Sequence, residues 1–188
     1  MAIFKSISAL VISLLLQITL FRFGVFGDGW IILCFQLYGI VLLPIGLHKT
    51  NYLLLSSAIG ALLDFIFLTG GIHLAAGAFL GVMLPTLYGL VEPRDGFIKG
   101  HIISSLKDGW LTFLSYSFLI SFTYFLALFL FEGARFSLIF SSIGKAFLSA
   151  ITNTVLLAIT QMGNNRKEVK RMVYDKNGKP KYYPGLTE

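Results

Sequence analysis

Ser56–Phe79, SSAIGALLDFIFLTGGIHLAAGAF, reads as two apolar helices joined at a Gly-Gly pair, with an aspartate, Asp64, and a histidine, His73, on either side of the joint. A carboxylate at the bilayer centre costs roughly 2.5–3.5 kcal/mol on insertion scales, so an ionisable side chain in such a stretch needs a partner or a task. Gly70 and Gly71 allow a turn too tight for a water-exposed loop, and the stretch is therefore expected to be a helical hairpin with His73 near the turn.

The flanking sequence continues the pattern. Of the 188 residues 56% are hydrophobic and only 13% charged, with a mean hydropathy of +0.80, whereas about a quarter of the residues of a soluble domain carry charge. The fold class expected is an all-α polytopic integral membrane protein with six transmembrane helices. A span needs about 20 mostly apolar residues, which places them at Ile3–Phe21, Trp30–Leu47, Tyr52–Leu68, Ile72–Val91, Trp110–Phe131 and Phe136–Thr160. Residues 1–162 then form the membrane domain and 163–188 a basic cytoplasmic tail. The first span has the lysine flank of a secretory leader, but it is followed by the bulky run QITLFRFGVFGDG and reads as a retained helix.

Orientation follows from Lys and Arg on alternate sides. With the N-terminus inside, the inner segments hold 12 such residues and the outer ones only Arg22 and Arg135, while Lys145 lies within the sixth span. Both termini are expected in the cytoplasm, as is the loop around Pro93, Arg94 and Asp95. Arg166, Lys167, Lys170 and Arg171 follow the last span, where such a cluster attracts anionic phospholipid head groups. Beyond them VYDKNGKPKYY carries the Asn-Gly signal of a tight hairpin, although two strands alone are marginal in water.

Small and polar residues recur at helical spacing. Ser56, Gly60 and Asp64 form one stripe, Gly77, Gly81 and Pro85 a second, and Ser141, Lys145, Ser149 and Thr152 a third with Asn153 beside it. In lipid such stripes pack helices together. Asp64 and Lys145 lie at similar depths, about 18 and 22 Å from the inner ends of their spans at ~1.5 Å per residue. An Asp64–Lys145 ion pair would account for both. The other reading has Lys145 reaching outward on its stem and Asp64 bonded to hydroxyl or backbone donors. Trp30, Trp110, Tyr52 and Tyr88 sit where interfacial aromatics would. The Phe-rich fifth span suggests a surface facing lipid or a partner.

Chemistry is sparsely represented. One cysteine, Cys34, excludes an internal disulfide, and His48, His73 and His101 are too far apart for a local metal motif. There is no GxSxG, HExxH or Walker sequence and no pair of carboxylates on one face, so neither catalysis, metal, cofactor nor nucleic acid is expected.

The stretch IGALLDFIFLTGGIHLAAGAFLGVMLPTLYGLVEPRDGF, the Phe-rich span ending in LFLFEGARF, and SSIGKAFLSAITNT together resemble the rod shape-determining protein MreD family, in its Bacteroidetes-like form. The resemblance covers about Ile3–Thr160, with Thr123-Tyr124 standing where relatives often have histidine. It implies a non-enzymatic component of the cell-elongation complex. Its partners would be the single-span scaffold MreC and, through it, the RodA glycosyltransferase, a penicillin-binding transpeptidase and MreB. It also implies a fold similar to the substrate-binding subunits of energy-coupling-factor transporters, so a small-molecule-binding subunit is the alternative function.

Overall fold

A computed structural model describes residues 2–20, 25–93, 96–133, 139–171, 173–174 and 180–181, with side chains placed for 6, 8–19, 25–93, 96–133 and 139–163. Helix α1 (Ala2–Leu20) leads to a two-stranded ladder of β1 (Val25–Phe26) and β2 (Ile31–Ile32), then to a short helix, α2 (Gln36–Val41). Four longer helices follow: α3 (Lys49–Phe67), α4 (Ile72–Val91), α5 (Trp110–Gly133) and α6 (Ile139–Arg171). Helices α3, α4 and α5 and the apolar part of α6, Ile139–Gly163, are long and apolar enough to cross a membrane.

These four helices pack in chain order, α3 on α4, α4 on α5 and α5 on α6, while α1 packs on α2. Helix α5 also meets α2, so it is covered on several sides. Phe113, Tyr116, Ile120, Tyr124, Phe125 and Phe129 are accordingly buried, and the expectation of an outward aromatic face on the fifth span is corrected. A helix that is apolar all round belongs in the middle of a bundle, and composition alone does not say whether lipid or protein surrounds it. Tyr52 and Tyr88 are likewise core residues rather than interfacial ones, with ring centroids 5.5 Å apart.

The largest departure concerns the expected span Trp30–Leu47, which is not a continuous helix. It runs as strand β2, an extended link, the six residues of α2 and a bend through Pro44 and Gly46. Pro44 has no amide hydrogen to continue a helix, and Gly46 turns the chain at φ +84°. Its apolarity has another cause: Cys34, Leu37, Ile40, Val41 and Leu43 are at most 2% exposed, so the segment is the bundle's own filling. Irregular backbone is tolerated at membrane depth where protein surrounds it.

At the C-terminal end α6 runs on to Arg171, so the expected domain boundary at 162/163 falls inside a helix, and residues 166–171 continue it. Strand β3 (Val173–Tyr174) then pairs antiparallel with β4 (Pro180–Lys181), Val173 opposite Lys181 and Tyr174 opposite Pro180, one residue away from the register that a two-residue Asn177-Gly178 turn would set. Asn177 and Gly178 themselves, and the side chains of Arg166, Lys167, Lys170 and Arg171, lie outside the described residues, as do Arg94 and Asp95.

Candidate functional site

Among the described residues, two polar clusters tie distant elements together, one at the joint of the α3/α4 hairpin and one on the backbone of residues 30–35. At the joint, Leu68 and Gly71 both take left-handed conformations, φ +56° and +96°, and the chain reverses without a loop. Gly71 occupies the N-cap of α4 and has no side chain with which to satisfy the amides of the first turn. Asp64, in the last turn of α3, does so instead. Its Oδ1 accepts from the His73 amide at 3.0 Å and its Oδ2 from the Leu74 amide at 2.7 Å, while the Thr69 hydroxyl also donates to Oδ1. The carboxylate thus caps the neighbouring helix from across the turn, where the helix dipole favours negative charge.

The joint continues inward. His73 Nδ1 lies 2.7 Å from the Tyr124 hydroxyl of α5, with the two rings stacked, and Gln36 Nε2 of α2 donates to the same hydroxyl at 3.3 Å. Asp64, His73, Tyr124 and Gln36 therefore tie together α3, α4, α5 and the broken segment.

The Asp64–Lys145 ion pair is not formed. Helix α3 touches α4, α6 touches α5, and two helices separate the expected partners, so equal depth does not bring them together. The oxygens of Asp64 are taken by the hairpin, and Lys145 Nζ instead lies 5.8 Å from the ring centroids of both Trp30 and Phe129, within cation–π range.

The second collection explains the irregular segment. Cys34 N–H donates to Asn153 Oδ1 at 2.9 Å and Asn153 Nδ2 returns a bond to the Ile32 carbonyl at 2.8 Å. Ile32 N–H donates to Ser149 Oγ at 3.0 Å, and Ser149 in turn contacts the Trp30 carbonyl. From the other side Gln17 of α1 accepts from Phe35 N–H and donates to the Leu33 carbonyl. Lower down, the Tyr38 hydroxyl meets Gln161 Oε1 at 3.1 Å and the Ser6 hydroxyl meets the Leu42 carbonyl at 2.7 Å. Side chains of α1 and α6 thus supply the pairing that a continuous helix would have made within itself.

Of the expected residues, Ser149 belongs to this clamp, whereas Thr152 bonds the Leu148 carbonyl of its own helix and turns outward. Ser56, Gly60, Gly77 and Gly81 meet between α3 and α4: a Cβ at Gly60 would run into the His73 carbonyl, at Gly77 into that of Ser56, and at Gly81 to within 2.7 Å of Leu53 Cα. Gly70 and Gly71 form the turn, and Pro93 is exposed, its carbonyl accepting from Gly96 N–H. Gln17, Gln36, Tyr124, Asn153 and Gln161 are the polar residues that stripe spacing did not single out as sites. For Gln17, Gln36, Asn153 and Gln161 the signal was chemical type, since a primary amide in an apolar run is as costly unpaired as a hydroxyl and offers both donor and acceptor. Comparison with models of protein families, with curated proteins and with solved structures gave no match.

Proposed function

We propose that the chain is a non-enzymatic inner-membrane component of the bacterial cell-elongation complex, of the MreD type, which binds the MreC scaffold and through it supports peptidoglycan synthesis by RodA and its transpeptidase. In this reading α1, the broken return segment and the four long helices make six traverses, with both termini cytoplasmic. The observation that carries it is that Gln17, Ser149 and Asn153 are spent on the chain's own backbone. An interior organised around its own main chain holds a shape, and the outward apolar residues of α1, α3 and α6, among them Ile12, Phe65, Phe147 and Val155, face whatever surrounds the bundle. Purification of the tagged protein in mild detergent should recover MreC with it, and depletion should round a rod-shaped host. A folded, monodisperse protein that never retains MreC would overturn the reading.

A second reading, a small-molecule-binding subunit of an energy-coupling-factor type transporter, draws support from the convergence of Asp64, His73, Tyr124 and Gln36 at one end of the bundle. It requires a solute whose binding is lost in Tyr124→Phe and His73→Gln while the protein stays folded.

A further inference from the structure

The hydroxyls of Thr19, Thr152, Thr154 and Thr160 each donate to the carbonyl four residues back in their own helix. Ser117 and Ser121 of α5 are fully buried and do not. Neither Oγ has a hydrogen-bond partner among the described residues, and the same holds for the Tyr116 hydroxyl and for Gln36 Oε1 of α2. A buried polar atom left unpaired weakens a fold, so native structures hold few of them and each requires a cause.

These four groups lie in order along one contact. Helix α2 begins beside Tyr124, where Gln36 Nε2 donates to the Tyr124 hydroxyl, and its chain leaves toward Pro44, whose carbonyl accepts from Tyr52. The Tyr52 ring is 5.5 Å from that of Tyr88, which is 6.0 Å from that of Tyr116. Residues 36–44 therefore run antiparallel to α5 from Tyr124 back to Tyr116, about 12 Å of axis at ~1.5 Å per residue. They are tied to it at one end by Gln36 and at the other through Tyr52 and Tyr88. Ser117 and Ser121 fall between those ends, and at ~100° per residue they lie within about 60° of Tyr124 around the helix, on the face that meets Gln36. On the other side of α2, Gly39 is held against α1, where a Cβ would meet Ser13 Oγ and Leu10 Cα.

Enclosure and charge decide what occupies this contact. Gln36, Leu37, Ile40, Tyr116, Ser117 and Ser121 are each at most 1% exposed, so an occupant larger than water has no open path to it. A cation would sit among neutral oxygens, because the Asp64 carboxylate is taken by the amides of its own turn, and an uncompensated charge in such surroundings is strongly unfavourable. Water meets the need. It donates to Gln36 Oε1, donates to or accepts from each hydroxyl, and is held by about two to four such partners. We infer that α2 and α5 enclose a row of ordered water running from Gln36 Oε1 past Ser121 and Ser117 to the Tyr116 hydroxyl.

X-ray radiolytic labelling of the detergent-purified full chain, read by mass spectrometry, tests the row, because hydroxyl radicals formed from bound water oxidise the side chains beside it even where bulk solvent does not reach. Tyr116 should be labelled at least about fivefold faster than Phe125, which is equally buried on another side of α5. Ser117→Ala and Ser121→Ala should each take a partner from the water and lower the thermal midpoint by about 2–4 °C. Ser117→Val with Ser121→Val should displace the water and bring Tyr116 labelling down to that of Phe125. In a dry contact the alanine changes would instead remove an unpaired hydroxyl and raise the midpoint. A raised midpoint overturns the row, as does Tyr116 labelled no faster than Phe125 in protein that elutes as a single folded peak. A lowered midpoint with Tyr116 unlabelled would assign the two hydroxyls to the carbonyls of their own helix, and counts equally against it. If the double valine variant does not fold, the labelling of the unaltered chain and the two alanine shifts decide.

Discussion

Asp64 accepts three hydrogen bonds from the far side of its own turn, and those bonds define what each substitution removes. Asp64→Ala leaves the His73 and Leu74 amides unpaired at the start of α4, a loss of about 1 kcal/mol by the usual worth of an N-cap. Asp64→Asn keeps one acceptor oxygen and should fall between, both read as loss of thermal midpoint in detergent. Lys145→Met should add independently to either, since the two side chains share no partner; a double variant departing from additivity by more than about 0.5 kcal/mol would contradict the separation. Asn153→Leu should cost more, roughly 2–4 kcal/mol, because it strands the buried Cys34 amide and Ile32 carbonyl together. The composition marked Asp64 and Lys145 as costly, but cost says only that a residue is satisfied somehow. Which groups satisfy it depends on helix adjacency, and spacing along one helix holds no information about which helix lies next to it.

At the scale of elements, the α3/α4 hairpin was the most legible part of the chain. Gly-Gly gave the turn, and Ser56, Gly60, Gly77 and Gly81 at four-residue steps gave the faces that meet, because close backbone approach requires small residues and leaves a periodic trace. Gly81→Leu should therefore force α3 and α4 apart and reduce the recovered folded fraction severalfold, while Gly89→Leu, where a Cβ meets nothing within 4 Å, should leave it unchanged; comparing monodisperse peaks by size-exclusion chromatography decides. Trp30–Leu47 was the least legible element. A hydropathy window measures withdrawal from water, and a segment sheathed by other helices is withdrawn as completely as one sheathed by lipid. Pro44 and the amides Gln17, Gln36 and Asn153 were the available warnings, one breaking the helix and the others offering replacement pairing.

For the whole molecule, the unequal spread of Lys and Arg predicts its orientation. In a Cys34→Ser background, a cysteine at position 96 should resist a membrane-impermeant thiol reagent added to intact cells, while one at position 28, in the β1–β2 turn, should react. The reverse pattern would invert the topology. The four long helices were evident from length and apolarity. Their central member was not, because α5 owes its place to being packed against α4, α6 and α2 at once, a property of the assembled bundle that no local pattern records.

The bonds from Ser149 and Asn153 to residues 32 and 34 bridge 117 to 121 positions of chain, and they constrain the order of assembly. When the first third of the protein emerges from the ribosome, the main chain around Ile32 and Cys34 can pair with strand β1 and with Gln17, while Ser149 and Asn153 lie more than a hundred residues further along the chain. The N-terminal part therefore cannot complete this pairing until the last helix arrives. A chain ending before Ser149 would never reach that point, however intact its first five helices, and should be cleared by proteolysis where a chain ending after Gly163 survives.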